Sequence, residues 1–317
     1  MKKVLITGAS GFVGANLSRR LLQDGHEVHL LLRHNYSDWR IKSILKDVTI
    51  HIVNLSDGES LRSFIQTLKP EWIYNLATEG AYSWQNDLNR IVSTNMQGTI
   101  NLLTACVDQG FEAFVNTGSS SEYGYKDHAP AENEFLDPNS FYAVSKASAT
   151  LFCRYYALRY HLNISTLRLY SVYGPYEDPR RLIPALILNG CQGKYPLLVN
   201  PDIARDFIYV DDVNNAYLLA AKDPEGDYGR VFNVGTGIQT SIKEIVEIAK
   251  DYFHITEEPQ WGSMEKRNWD TNTWKAAWTK IQAALGWKPA ITLPEGFART
   301  AIWFQENRPG IFLNGSG

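Results

Sequence analysis

Cysteine is scarce in this 317-residue chain: Cys106, Cys153 and Cys191 are the only three. An odd count with no C-x-x-C spacing excludes a disulfide framework and a cysteine-based metal site, and it points to reduced thiols in a cytoplasmic compartment. Long apolar runs are missing too. No stretch approaches the ~20 residues that cross a bilayer. The apolar segment after Met1-Lys2-Lys3 is broken by glycine and polar residues, so neither a membrane span nor a secretory signal is expected. Charge of one sign is also absent. A net charge of −3 leaves no basic surplus for nucleic acid or an anionic membrane. There is no internal repeat and no low-complexity segment. What is left is an ordinary globular composition, 44% hydrophobic and 21% charged, with length for one or two domains.

The most informative stretch is residues 4–14, Val-Leu-Ile-Thr-Gly-Ala-Ser-Gly-Phe-Val-Gly. β-formers run into glycines, and a helical pattern follows through Leu17, Leu21 and Leu22. Gly8 lets the chain turn, Gly11 lets the backbone approach a pyrophosphate, and Gly14 lets the helix pack close on the strand. The helix N-terminus then offers N–H groups and partial positive charge to phosphates. Strands are expected at 4–7, 28–32, 48–53, 72–77, 114–117 and 164–169, with helices at 11–24, 61–68, 91–106 and 141–160. This alternation predicts an α/β fold: a doubly wound parallel sheet of Rossmann type, with ligands outside the carboxyl ends of the strands. After Leu169 the rhythm changes; five prolines fall between Pro175 and Pro201, and six of the nine tryptophans lie from Trp261 onward. The expected division is a dinucleotide-binding domain at 1–170 and a smaller α/β substrate lobe mainly at 171–317, with segments returning to the first domain.

Tyr142 and Lys146 lie four apart on an expected helix and so share a face. Ser140 is its N-cap candidate. An isolated Y-x-x-x-K is close to what chance provides, but here the helix follows the strand at 114–117 and the polar run Ser119-Ser120-Ser121. A hydroxyl at a strand end, a phenol and an ammonium make a proton-transfer site. A free tyrosine, with a pKa of ~10, is a poor base; a neighbouring ammonium and a cationic nicotinamide would favour its phenolate.

With these residues in place the chain resembles an extended short-chain dehydrogenase/reductase of the nucleotide-sugar epimerase/dehydratase group. The motifs are the glycine loop, Asn75-Leu76-Ala77, Thr94-Asn95 with Gly98-Thr99, the Ser119 to Gly124 run, Tyr142 with Lys146, Arg168 to Pro175, Arg205 to Asp212, and Phe232-Asn233-Val234-Gly235. The resemblance implies Ser119, Tyr142 and Lys146 as the catalytic set and hydride transfer at a sugar carbon, often C4. It implies cofactor contacts from Gly8, Ser10, Gly11, Phe12, Val13 and Gly14. Further cofactor contacts follow at Asn54 and Leu55, at Leu76, Ala77 and Thr78, and at Asn95, Thr117, Leu169 and Tyr170. Arg205 would grip the diphosphate, Arg267 is the candidate second arginine, and Ser171 stands where many relatives have a substrate-contacting asparagine. Ser120 and Ser121 are further substrate candidates, and Glu79, Tyr82 and Trp84 are candidate substrate-specificity residues, although packing explains these three equally. Asp211 and Asp212 read as helix caps. A homodimer through the helices near 91–109 and 141–160 is also implied.

The cofactor expected is NADP(H) rather than NAD. The second strand ends Leu32-Arg33-His34, so a cation stands where an NAD protein places an acid on the ribose 2′-hydroxyl. For the reaction, a dehydratase needs an acid beside the catalytic hydroxyl, and an ungapped count puts Ser120 and Ser121 there. A one-residue shift would instead bring Glu122 to that position. The expectation is therefore a 4-ketoreductase or 4-epimerase acting on a nucleotide sugar, with a 4,6-dehydratase using Glu122, or a non-catalytic dinucleotide sensor, as alternatives.

Overall fold

The computed structural model describes residues 1–82, 84–223, 227–264 and 273–312. Six strands and their crossovers make the first part of the chain: β1 (Lys3–Thr7), α1 (Phe12–Gln23), β2 (Glu27–Leu32), β3 (Thr49–Ile52), α2 (Gly58–Leu68), β4 (Trp72–Asn75), α3 (Leu88–Ile91), α4 (Gly98–Gln109), β5 (Ala113–Ser119), α5 (Phe141–Tyr160) and β6 (Ile164–Leu169). The remainder carries β7 (Ser171–Tyr173), α6 (Leu182–Gly190), β8 (Ala204–Arg205), β9 (Phe207–Tyr209), α7 (Val210–Lys222), β10 (Arg230–Val234), β11 (Thr240–Ser241), α8 (Ile242–Phe253), α9 (Thr279–Leu285) and α10 (Leu293–Phe312).

Seven strands form one parallel sheet in the order β10-β6-β5-β4-β1-β2-β3. The apolar runs of β1 and β2 are buried on both faces, as a helix-covered parallel sheet demands. One face packs Leu17, Leu21, Val213 and Tyr217 from α1 and α7. The other packs Leu61, Ile65, Leu102, Leu103 and Cys153 from α2, α4 and α5. A separate core gathers Ile183, Leu186, Ile245, Val246, Phe297 and Phe304 from α6, α8 and α10. Strand order reverses between β1 and β4, and the crevice at their carboxyl ends is the ligand position of such sheets.

A row of polar residues crosses the sheet just inside that end. In register, Thr7 faces Asn75, Asn75 faces Asn116, and Asn116 faces Thr166. Thr7 Oγ1 donates to Asn75 Oδ1 (2.8 Å), and Asn75 Nδ2 donates to Asn116 Oδ1 (3.1 Å) and Thr99 Oγ1 (3.0 Å). Buried polar groups satisfied in this way fix the strand ends relative to one another. The expectation for Asp211 and Asp212 is corrected here. Tyr209 is the N-cap of α7, and Asp212 instead accepts from the Ala290 and Ile291 amides (3.0 Å each), tying the C-terminal segment to the α7 start.

Candidate active site

The turn after β1 is built by crowding. Gly8 has φ +69°, and a Cβ there would sit 2.5 Å from the Leu76 carbonyl carbon. A Cβ at Gly14 would collide with the Gly8 carbonyl oxygen. Gly11 is the N-cap of α1, which has no side-chain cap and no acid in its first turn. The α1 N-terminus therefore opens, uncapped by any side chain, on the cleft, which is the donor set a pyrophosphate needs. The residues fit a dinucleotide.

A cleft of about 1650 Å³ runs from this turn across the sheet ends into the second core. Gly8, Ser10, Gly11, Phe12, Val13 and Gly14 line one end, with Arg33, Asn54 and Leu55 beyond them. Leu76, Ala77, Thr78, Thr117, Leu169 and Tyr170 line its middle, where Ser119, Ser120, Ser121 and Tyr142 meet it. Glu79, Ser171 and Arg205 line the far part. Sequence reading thus brought most of its candidates to one cavity. Arg267 lies outside the described residues.

Three candidates differ from expectation. Asn95 does not line the cleft. It sits in a π-helical turn, Val92–Gln97, between α3 and α4, and its amide is spent on the Glu79 backbone (2.8 Å both ways) and Ser145 Oγ (2.9 Å). It fixes the loop after β4 against α5 rather than touching a ligand. Lys146 also stands behind the lining and is 3% exposed. Glu122 is fully buried and supplies no acid to the cleft. Its carboxylate accepts from the Ser119 amide (2.8 Å), Thr150 Oγ1 (3.0 Å) and Arg168 Nε (2.8 Å), so a dehydratase role for it is corrected to a structural one.

That buried ion pair positions Ser119. Ser119 ends β5 and caps the following turn, its Oγ accepting from the Ser121 amide (3.2 Å). Ser140 caps α5 through the Ala143 amide (3.1 Å), which sets Tyr142 in the first turn. Tyr142 stands near the Ser119 and Thr78 hydroxyls. Burial pushes the phenol up, while those two hydroxyls and the Arg181 charge pull it down and Glu122 pushes it further up. One helical turn on, burial pushes Lys146 down to about 8, with Glu122 and Cys153 drawing it back up. The Ser119 hydroxyl and the Tyr142 phenol thus share the cleft, with the Lys146 ammonium one helical turn behind them and close to losing its charge near neutrality.

The far half of the cleft holds residues that sequence reading missed. Arg180 and Arg181 line it. Arg180 stacks on Trp84 (3.7 Å), and Trp84 in turn stacks on Tyr82 (4.6 Å, 7° between planes). The consecutive arginines after Gly174-Pro175 were the available signal. Trp274 donates to Ser120 Oγ (3.1 Å) and lies under Arg205 (5.3 Å); nothing in its sequence neighbourhood marks it. Asp206 is not the partner of Arg205. It accepts from the Thr236, Gly237 and Ala276 amides (2.7–2.9 Å). Among the described lining residues the only carboxylates are Glu79 and Glu177. None stands at the Arg33 end.

A Rossmann-type parallel sheet, a glycine turn shaped for a dinucleotide and a Ser–Tyr–Lys cluster define a nicotinamide-dinucleotide enzyme of the extended short-chain dehydrogenase/reductase type. The chain belongs to the NAD dependent epimerase/dehydratase family, whose model matches residues 4–235. It is 29% identical to UDP-glucose 4-epimerase of Mycolicibacterium smegmatis, over 96% of this chain and 98% of that protein. It is 33% identical to dTDP-glucose 4,6-dehydratase of Streptomyces griseus, over 70% of this chain and 67% of that one. Among solved structures, UDP-glucose 4-epimerase of Thermotoga maritima with UDP-glucose superposes with TM-score 0.87 at 25% identity, covering 96% of this chain and 99% of that one. The Thermus thermophilus UDP-glucose 4-epimerase complex with NAD gives 0.84 at 26% identity, covering 95% and 98%. That neighbour's NAD points away from the NADP expected on Arg33.

Proposed function

We propose that this enzyme is a nucleotide-sugar 4-epimerase that keeps a nicotinamide dinucleotide through turnover. The observation that carries the reading is that Ser119, at the end of β5, and Tyr142 line the same cleft with Ser119 acting on the phenol, and that serines rather than an acid follow Ser119. A bound nicotinamide supplies the hydride acceptor and donor. Tyr142 Oη takes the proton of the sugar C4 hydroxyl, Ser119 Oγ hydrogen-bonds the same oxygen, and the Lys146 ammonium favours the phenolate. Arg205 meets the diphosphate, and residues 171–317 supply most of the sugar-nucleotide half of the cleft. The near full-length likeness to a UDP-glucose 4-epimerase supports this reading; 4,6-dehydratases match over as much of the chain, and the serines after Ser119 are what favour the epimerase over them.

A 4-ketoreductase using NADPH is the second reading. Exposed Arg33 and the carboxylate-free end of the cleft around it favour it, because a cation pairs with a 2′-phosphate and cannot accept from a 2′-hydroxyl. Incubation of the purified protein with UDP-glucose and with 4-keto nucleotide sugars, followed at 340 nm, separates the two. Interconversion of UDP-glucose and UDP-galactose without net absorbance change supports the epimerase. Consumption of NADPH by a 4-keto sugar supports the reductase. Fluorescence titration of both cofactors decides the Arg33 argument, which tighter NAD binding ends.

A further inference from the structure

One cation of the cleft has no counter-ion among the described residues. Arg40 stands in the loop between β2 and β3, lines the cleft and is half-buried. Its Nε donates to Tyr176 O (2.7 Å), its guanidinium lies over the Trp39 ring (4.2 Å), and its own carbonyl accepts from Arg19 Nη2 of α1. Among the described residues its two Nη atoms have no hydrogen-bond partner and it belongs to no ion pair, yet neither Nη is closed off from solvent. The carboxylates that follow its anchor Tyr176 are committed elsewhere. Asp178 takes both ends of Arg180 (2.9 and 2.8 Å), and Glu177 faces Arg181 (3.6 Å). A half-buried charge with open donors and no partner is costly until an anion arrives.

Hydrogen bonds place this guanidinium beside the α1 N-terminus. Asn16 Nδ2 donates both to Phe12 O, in the first turn of α1, and to Pro175 O (3.0 and 2.9 Å). Pro175 is thereby held against that turn, and the next residue, Tyr176, holds Arg40. Gly11 and Phe12 open on the same cleft as Arg40. Arg205 instead lies over Trp274, on the Ser120 side. We propose that Arg40 is a cofactor-binding residue: its Nη atoms donate to the diphosphate of the bound nicotinamide dinucleotide, together with the α1 amides. A guanidinium fork matches two phosphate oxygens, and its Nε stays on Tyr176 while both Nη engage. Arg40 thus joins the loop after β2 and the loop after β7 to the cofactor. The inference rests on the dinucleotide reading and is independent of which sugar binds.

Calorimetric titration of wild type, Arg40→Leu and Arg40→Lys with NAD, NADP, ADP and UDP-glucose tests it. Arg40→Leu is expected to weaken NAD, NADP and ADP alike, about ten- to hundredfold, because one charge-assisted contact to their shared diphosphate is lost. UDP-glucose should stay within about twofold of wild type. Arg40→Lys keeps the charge and should bind NAD more tightly than Arg40→Leu. If Leu does not fold, as judged by thermal melting, Arg40→Gln gives the same readout. Unchanged cofactor affinity overturns the inference. So does a loss confined to NADP, which would put Arg40 on the 2′-phosphate, or one confined to UDP-glucose, which would put it on the substrate. Equal weakening of all four ligands marks a structural role and overturns it too. Wild type that binds none of NAD, NADP and ADP overturns the dinucleotide reading and this inference together.

Discussion

Lys146 shows how a single residue is placed to matter. Its ammonium is 3% exposed, and the desolvation that lowers it to about 8 makes its charge conditional near working pH. In the role proposed for it, Lys146 is a cation below that value and favours the Tyr142 phenolate; above it the charge goes and less of the phenol, already pushed up by burial, ionises. The expected result is a fall in kcat/KM as pH rises through about 8. Lys146→Met should cost about 10²–10⁴ in kcat below that pH, with the deficit narrowing above it, and flatten that alkaline limb. Tyr142→Phe should lose activity to a similar degree while the protein still binds cofactor. An alkaline limb that survives in Lys146→Met would assign the titration to another group.

At the scale of elements, the β5 turn, α5 and β6 are locked together by Glu122 and Arg168, which are 0% and 3% exposed. Arg168 also donates to Tyr123 (2.8 Å), whose hydroxyl reaches Asn233 of β10 (2.7 Å). Removing one charge leaves the other buried and uncompensated, so Glu122→Leu should destabilise by about 3–5 kcal/mol in denaturant melts. Glu122→Leu with Arg168→Met should recover much of that loss. A double variant as unstable as the single one would mean that the hydrogen bonds to Ser119 and Thr150, rather than the stranded charge, carry the cost.

The elements themselves were largely legible. Periodicity gave α5 and β6 with the bounds observed, because Ser140 caps the helix and Asn163 and the β-formers bracket the strand. It did not give the break at Val92–Gln97, since a π turn is set by tertiary contacts of Asn95 and not by local propensity. The site divides the same way. Residues on strand ends and helix starts, Gly8, Ser119 and Tyr142, carried motif spacing. Trp274 and Glu177 reach the cleft from loops placed by tertiary contacts, Asn16 and Arg40 holding the one that carries Glu177, so neither period nor spacing marked them; for Arg181 the paired arginines were the one signal.

For the whole molecule, α5 has two working faces. Tyr142, Lys146, Thr150, Cys153 and Ala157 turn inward, while Phe141, Val144, Leu151, Tyr155 and Leu158 are exposed apolar residues at spacings of three, seven, four and three, along one side of the helix. An apolar stripe of that length on a monomer's surface is the kind of patch that proteins cover. Burying Leu151 and Leu158 against a second copy would contribute ~1.5–3 kcal/mol each. A homodimer through α5 is therefore expected, and sedimentation should give twice the 35.9 kDa of the chain. Leu151→Arg with Leu158→Arg should sediment as a monomer, since two cations cannot be buried against their own copies in a self-complementary interface. Because Tyr142 and Lys146 ride on the same helix, that monomer should also lose part of its kcat while keeping its cofactor affinity. Wild type sedimenting as a monomer at the concentrations where it is active would remove the dimer. It would leave the stripe as a surface for a different partner.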